Sequence, residues 1–176
     1  MDTTRLMEVW IRVDGVYAQF KVLKKIYKSL LKEDITFHFF FEIGYLLIRF
    51  DKDRKDEFDK ALRGYEHLFI DEWKEDSETV RLYQGYFADL FHLNSKFALE
   101  EFYKTNRSLS DDYDFRRLYE RITHTSFDML SAQFVGKNEP RILAELALGR
   151  SMLEGQIAGG RAERARIRAN SNGVEK

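Results

Sequence analysis

Arginine and histidine set at alternate positions among aromatic residues are the part of this 176-residue chain best suited to chemistry. Arg12 follows Trp10 in one segment of period-two hydrophobicity; His38, Phe40 and Glu42 alternate in a second, Tyr45 and Arg49 in a third, and Arg81 and Tyr83 in a fourth. Guanidinium groups such as Arg12 and Arg49 can hold a carboxylate through charge-assisted hydrogen bonds, and His38 can exchange a proton near neutral pH. Trp10, Phe40 and Tyr45 offer flat rings against which a peptide packs or a base stacks.

Other chemistry is excluded or unsupported. With no cysteine there is no disulfide scaffold, thiolate metal site or cysteine nucleophile. His38, His67, His92 and His124 stand 29, 25 and 32 residues apart, so no pair shares a helix face and no metal site is expected. Gly149, Gly155 and Gly159-Gly160 fall in helical context, which is wrong for a phosphate loop, and no cofactor is expected. A net charge of -1 and a pI near 6.5 argue against nucleic acid as the main partner. No apolar run approaches the ~18 residues of a membrane span, and Met1-Asp2-Thr3-Thr4-Arg5 does not begin a signal peptide, so a soluble, cytoplasmic protein is expected.

The elements that must position these residues follow from periodicity. Fifteen Phe and nine Tyr are present, and five of the Phe lie between Phe37 and Phe50. Thr36–Glu42 and Tyr45–Phe50, separated by Ile43-Gly44, read as a β-hairpin with a two-residue loop. Pairing Glu42 with Tyr45 sends Phe37, Phe39, Phe41, Leu46, Ile48 and Phe50 to one face and His38, Phe40, Glu42, Tyr45, Leu47 and Arg49 to the other. The first face is core. Leu6–Val13 repeats the alternation, and Glu78–Tyr83 is read as a fourth strand.

Val16, Phe20, Leu23, Tyr27 and Leu30 recur at helical spacing, with lysines at 21, 24, 25 and 28 on the remaining surface. A second helix opens at Asp56-Glu57 and carries Phe58, Ala61, Leu62, Tyr65, Leu68 and Phe69. The expected fold is α+β, a ferredoxin-like βαββαβ antiparallel sheet with a C-terminal helical bundle. The bundle comprises an apolar helix over Tyr86–Tyr103 that breaks near Asn94-Ser95, a helix opened by Ser110 whose Phe115, Leu118, Ile122, Met129 and Leu130 share a face, and a third begun by Asn138-Glu139-Pro140. One domain spans 1–158, with sheet and two helices in 1–84 and the helical part in 85–158; a flexible basic tail follows over 159–176, with five basic and two acidic residues from Arg161 onward.

With two helices on one face of the sheet, the opposite face must be explained, and three readings stay open. The C-terminal helices or a second copy of the chain cover it, a ligand or peptide binds between it and those helices, or single-stranded RNA stacks on its aromatics. The near-neutral charge and the lack of a Gly/aromatic ribonucleoprotein motif count against RNA.

Trp10, Phe39-Phe40-Phe41-Glu42, Gly44, Leu46-Leu47-Ile48-Arg49-Phe50 and Leu90-Phe91-His92-Leu93-Asn94-Ser95 occur in an order and spacing that resemble one family over residues 6–104. It is the small C-terminal domain of lantibiotic dehydratases and its stand-alone relatives in thiopeptide biosynthesis. The resemblance implies a peptide substrate and a lyase or cyclase activity, either elimination of glutamate from glutamylated Ser/Thr or the joining of dehydroalanines into a ring. It carries over Arg49 and His92 as catalytic residues, to which the hairpin register adds His38; Arg12, Trp10, Phe40, Glu42, Tyr45 and Arg81 are the binding candidates. The chain departs from the family at Glu42-Ile43, where relatives carry Arg-Tyr, at Leu47, where they carry a second Arg, and in lacking their C-terminal segment with His and Asn. A peptide-modifying or peptide-binding protein of ribosomal natural-product biosynthesis is therefore the leading expectation. The alternative is a non-enzymatic interaction or assembly protein that uses the open face and basic tail for self-association, as a homo-oligomer, or for docking to a larger complex.

Overall fold

The computed structural model of the chain describes residues 6–72, 78–105 and 112–134, with scattered helical positions between 140 and 170. Its centre is the aromatic hairpin. β2 (Phe37–Glu42) and β3 (Tyr45–Asp51) pair antiparallel from Phe37↔Phe50 to Glu42↔Tyr45, and Gly44 takes the positive φ of 78° that the tight turn requires. β1 (Leu6–Arg12) runs antiparallel to the other side of β3, and β4 (His67–Glu72) to the other side of β1, so the order is β2-β3-β1-β4. Alternation then decides what is buried. Met7, Val9, Ile11, Phe37, Phe39, Phe41, Leu46, Ile48 and Phe50 line one face and form the core with α1 (Val16–Lys32). α2 (Lys55–Ala61), entered through the 3₁₀ turn Lys52–Arg54, adds Phe58, whose ring stacks on Phe50 at 3.9 Å.

Polar groups lock the joints of this core. The buried Gln19 side chain donates from Nε2 to the carbonyls of Val13, Glu42 and Tyr45, tying α1 to the end of β1 and both sides of the hairpin turn. α1 ends in a left-handed residue, Asp34 (φ 56°), with Ile35 N–H donating to Leu30 and Asp34 N–H to Leu31. Arg54 donates to the carbonyls of Glu33 and Asp34 and to Glu57, a cation placed where the dipole of α1 ends.

Two sequence expectations about this layer are corrected. The helix expected to run through Phe69 stops at Ala61, and the fourth strand is 67–72 instead of 78–83. Gly64, at φ 93°, ends the turn after α2, after which His67 to Ile70 alternates in a strand. Glu78 instead opens α3 (Glu78–Lys104), which runs unbroken past Asn94-Ser95. Neither residue is free to cap a new helix there: the Asn94 amide donates across to Ser126 Oγ, and Ser95 is fully buried. In α4 (Asp112–Phe134) the buried face carries Phe115, Leu118, Ile122 and Leu130 as expected, whereas Met129 is exposed and Tyr119 and Phe127 are buried.

α3 lies across the outer edge of β2. Phe87 packs on His38, on one face of the sheet, while Phe91, one turn later, packs on Phe37 and Phe39 on the other. Farther on, the Ser95 carbonyl accepts from Tyr27 of α1. An edge strand with open hydrogen-bonding groups is thus capped by a helix. α4 backs α3 through Phe127 on Phe87 and reaches the core through Tyr119 against Phe20 and Phe41.

Positions 140, 143, 144, 147, 148 and 151 of the third C-terminal helix are helical, with Leu143 and Leu148 exposed; its remainder lies outside the described residues. In the segment expected to be a flexible tail, 165, 166 and 168–170 are helical, in keeping with Ala165, Arg166, Arg168 and Ala169 being good helix formers, and the rest of it lies outside the described residues.

Candidate functional site on the second sheet face

The register arranges the second face in rows that cross the four strands. One row is His38, Arg49, Glu8 and Ile70; the next is Phe40, Leu47, Trp10 and Leu68; Glu42, Tyr45 and Arg12 form a third at the hairpin end. Neighbours in a row are directly opposed, so their side chains meet.

The polar row is a closed network. Arg49 donates from Nε to Glu8 Oε2 at 2.9 Å and from Nη1 to Gln84 Oε1 of α3 at 3.4 Å, and its guanidinium lies 4.7 Å from the centre of the Phe40 ring. The other Glu8 oxygen accepts from the Trp10 indole at 2.6 Å. With side-chain exposures of 14% and 9%, Arg49 and Glu8 are nearly out of water. His38 is wholly enclosed between Phe40 and Phe87, and neither ring nitrogen has a hydrogen-bond partner among the described residues. Burial first, and the positive charge of Arg49 second, push its pKa well below the ordinary value of 6.5. It is therefore a neutral packing group at neutral pH.

The N-terminal part of α3 accounts for this enclosure, Phe87 packing on His38 and Gln84 accepting from Arg49, in place of the strand expected over 78–83. Tyr83 is buried on this helix, and Arg81 sits on it as well, not on the sheet.

The other half of the face remains accessible. Trp10 and Tyr45 meet edge-to-face at 5.4 Å and are half-buried, as is Phe40, while Arg12, loosely paired with Glu66 at 3.9 Å, and Glu42 are exposed. Leu68 and Ile70, on β4, are 64% and 43% exposed beside Trp10. These two were missed in the sequence because Leu68 also satisfies the helical spacing from Leu62 and Tyr65. Among the described residues no strand lies on the outer side of β4.

The three catalytic candidates do not converge. His92 lies on the core side of β2, 5.8 Å from Phe37, where its Nε2 is 2.9 Å from Asp34 Oδ1; Asp34 also pairs with Lys96. Hydrogen bonds from Lys96 first and from His92 second hold the Asp34 carboxyl down to about 2, while burial lowers His92 itself. Two surface grooves, of about 380 Å³ between α1 and α3 and about 480 Å³ beside α2 and Gly64, include neither His38 nor Arg49 in their described lining. Among the described residues no three His, Asp or Glu side chains cluster as metal ligands, and no helix is long and apolar enough to cross a membrane.

No protein-family profile, curated protein or solved structure matches the chain.

Proposed function

We propose that the chain is a peptide-binding module without catalytic activity. In this reading an extended peptide lies along β4 as a fifth strand and sets apolar side chains on Trp10, Leu68 and Ile70. The observation that carries it is the exposure of Leu68 and Ile70 on an edge strand, next to a half-buried tryptophan. Main-chain hydrogen bonds at an open edge supply affinity, and alternate side-chain contacts supply selectivity. The Glu8–Arg49 pair acts as rigid support below the contact surface, since Arg49 is held between Glu8 and Gln84 and is nearly out of water.

The segment order shared with the lantibiotic dehydratase C-terminal domain supports a peptide as the partner class and ribosomal natural-product biosynthesis as the setting. Against lyase or cyclase chemistry stand the enclosure of His38 and Arg49 and the position of His92 across the sheet from them. A ferredoxin-like arrangement is supported by the chain order β-α-β-β-α-β and by β1 lying between β3 and β4. The contacts of α3 with α4 support a C-terminal bundle.

Selection from a displayed random-peptide library tests the proposal. Enriched peptides are expected to carry apolar residues at alternate positions, and Leu68→Lys/Ile70→Lys to weaken them about tenfold or more. Failure to enrich any peptide, or equal binding by the double variant, sinks the proposal. A wild-type dimer by light scattering that the same double variant dissociates also overturns it, and assigns the surface to self-association.

A further inference from the structure

A second surface, independent of the peptide-binding proposal, lies where α1 and α3 run side by side. The described lining of the 380 Å³ groove between them is Lys28, Leu31 and Lys32 from α1 and Lys96, Leu99 and Glu100 from α3. Each triplet has the i, i+3, i+4 spacing that puts three side chains on one helix face. The leucines form the floor, Leu31 buried and Leu99 half-buried, and the aliphatic stems of the lysines extend it.

The charge around this floor is unbalanced. Lys96 is fixed at one end of the groove by Asp34, whose backbone closes the terminal turn of α1 and whose carboxylate also meets His92. Lys28 and Lys32 have no ion-pair partner among the described residues, and the groove's own acidic group is Glu100. Two ammonium groups without a described ion-pair partner, against the single carboxylate of Glu100, leave net positive charge over an apolar trough and complement a ligand with a hydrocarbon body and one negative charge. The volume falls within the about 300–1,000 Å³ of small-molecule sites, and Glu100 on the lining disfavours a doubly charged headgroup.

We propose that this groove binds a single-chain carboxylate amphiphile, a free medium-chain fatty acid, with its chain on Leu31 and Leu99 and its carboxylate between Lys28 and Lys32. The head makes charge-assisted hydrogen bonds, and the tail is removed from water.

Isothermal titration of the full chain with decanoate, kept below its micelle concentration, tests this. Saturable one-to-one binding is expected, with decanol and decyltrimethylammonium binding at least about tenfold more weakly, the loss of a charge-assisted contact. Lys28→Gln/Lys32→Gln, both exposed positions on α1, should weaken decanoate about tenfold with unchanged circular dichroism, and Glu100→Gln should tighten it. Equal affinity for decanol, an unaltered affinity in the lysine variant, or no saturable binding overturns the proposal. Binding to anionic phospholipid vesicles without binding to decanoate also overturns it and makes the lysines a membrane contact.

Discussion

Glu8 and Arg49 are almost out of water, and removing one of them differs from removing both. Arg49→Ala leaves the Glu8 carboxylate in the sheet face with the Trp10 indole as its remaining described donor, and is expected to cost about 3–5 kcal/mol. Glu8→Leu/Arg49→Met keeps the volume and removes both charges, so urea denaturation should place it well above the single variant in stability. A double variant as unstable as Arg49→Ala would contradict the supporting role given to the pair. His38 sets a pH dependence of definite sign. Its folded-state pKa lies below the ordinary 6.5, so as pH falls below that value the unfolded chain takes up a proton that the folded chain refuses. Stability is complete above about pH 6.5 and declines below it by up to about 1.4 kcal/mol per pH unit, until the folded-state pKa is reached. Burial of His92 acts in the same direction. His38→Leu should leave stability at pH 7 equal or higher, since two buried nitrogens without a partner among the described residues disappear, and should flatten the fall in urea midpoint between about pH 6.5 and pH 5. An unchanged slope in the variant would refute this assignment.

Between α2 and β4, Gly64 does what the hydrophobic pattern concealed. Its φ is 93° and no described atom lies within 4 Å of where a Cβ would stand, so a side chain there meets only backbone strain. Gly64→Val is expected to cost about 1–2 kcal/mol by thermal unfolding, and Gly64→Asn less, because Asn tolerates positive φ better. The hairpin register was legible, each strand end lying within one residue of expectation, because slipping Phe37 to Phe50 by one residue mixes the apolar and the polar-bearing sets. The α2–β4 boundary was not. Leu62, Tyr65, Leu68 and Phe69 fit a helical stripe, while the alternation from His67 to Ile70 lies in their exposure and not in their residue types, so the local signal that separates helix from strand is the glycine. Val80, Tyr83, Gln84 and Phe87 likewise read as i, i+3, i+4, i+7, which the shorter alternation of 78–83 masked. Half of the site was therefore readable. Trp10, Phe40, Tyr45 and Arg49 do share a face, but Leu68, Ile70 and Gln84 entered it only once β4 and α3 were in place.

At the scale of the molecule α3 serves both faces of the sheet. Its first turns seal the polar row over His38 and Arg49, it crosses the β2 edge at Phe91, and its later turns build the lysine groove with α1. The separation of His92 from Arg49 follows from that crossing, which no pattern along the sequence specifies. Phe91, 1% exposed, touches Phe37, Phe39, Phe87 and Tyr119 and is the packing centre of the crossing. Phe91→Ala is expected to lower stability by about 3–5 kcal/mol through loss of the ring and the cavity it leaves. Its local signature is distinct. Hydrogen exchange should accelerate in β2, the strand whose outer edge α3 covers, more than in central β1, because the covering helix loosens before the sheet opens. Because the groove is built on α3 and the β4 surface is not, this variant should weaken decanoate more than peptide, whereas Leu68→Lys/Ile70→Lys should do the reverse. Uniform acceleration of exchange across all four strands would show instead that α3 and the sheet open as one unit, and that the crossing has no separate mechanical role.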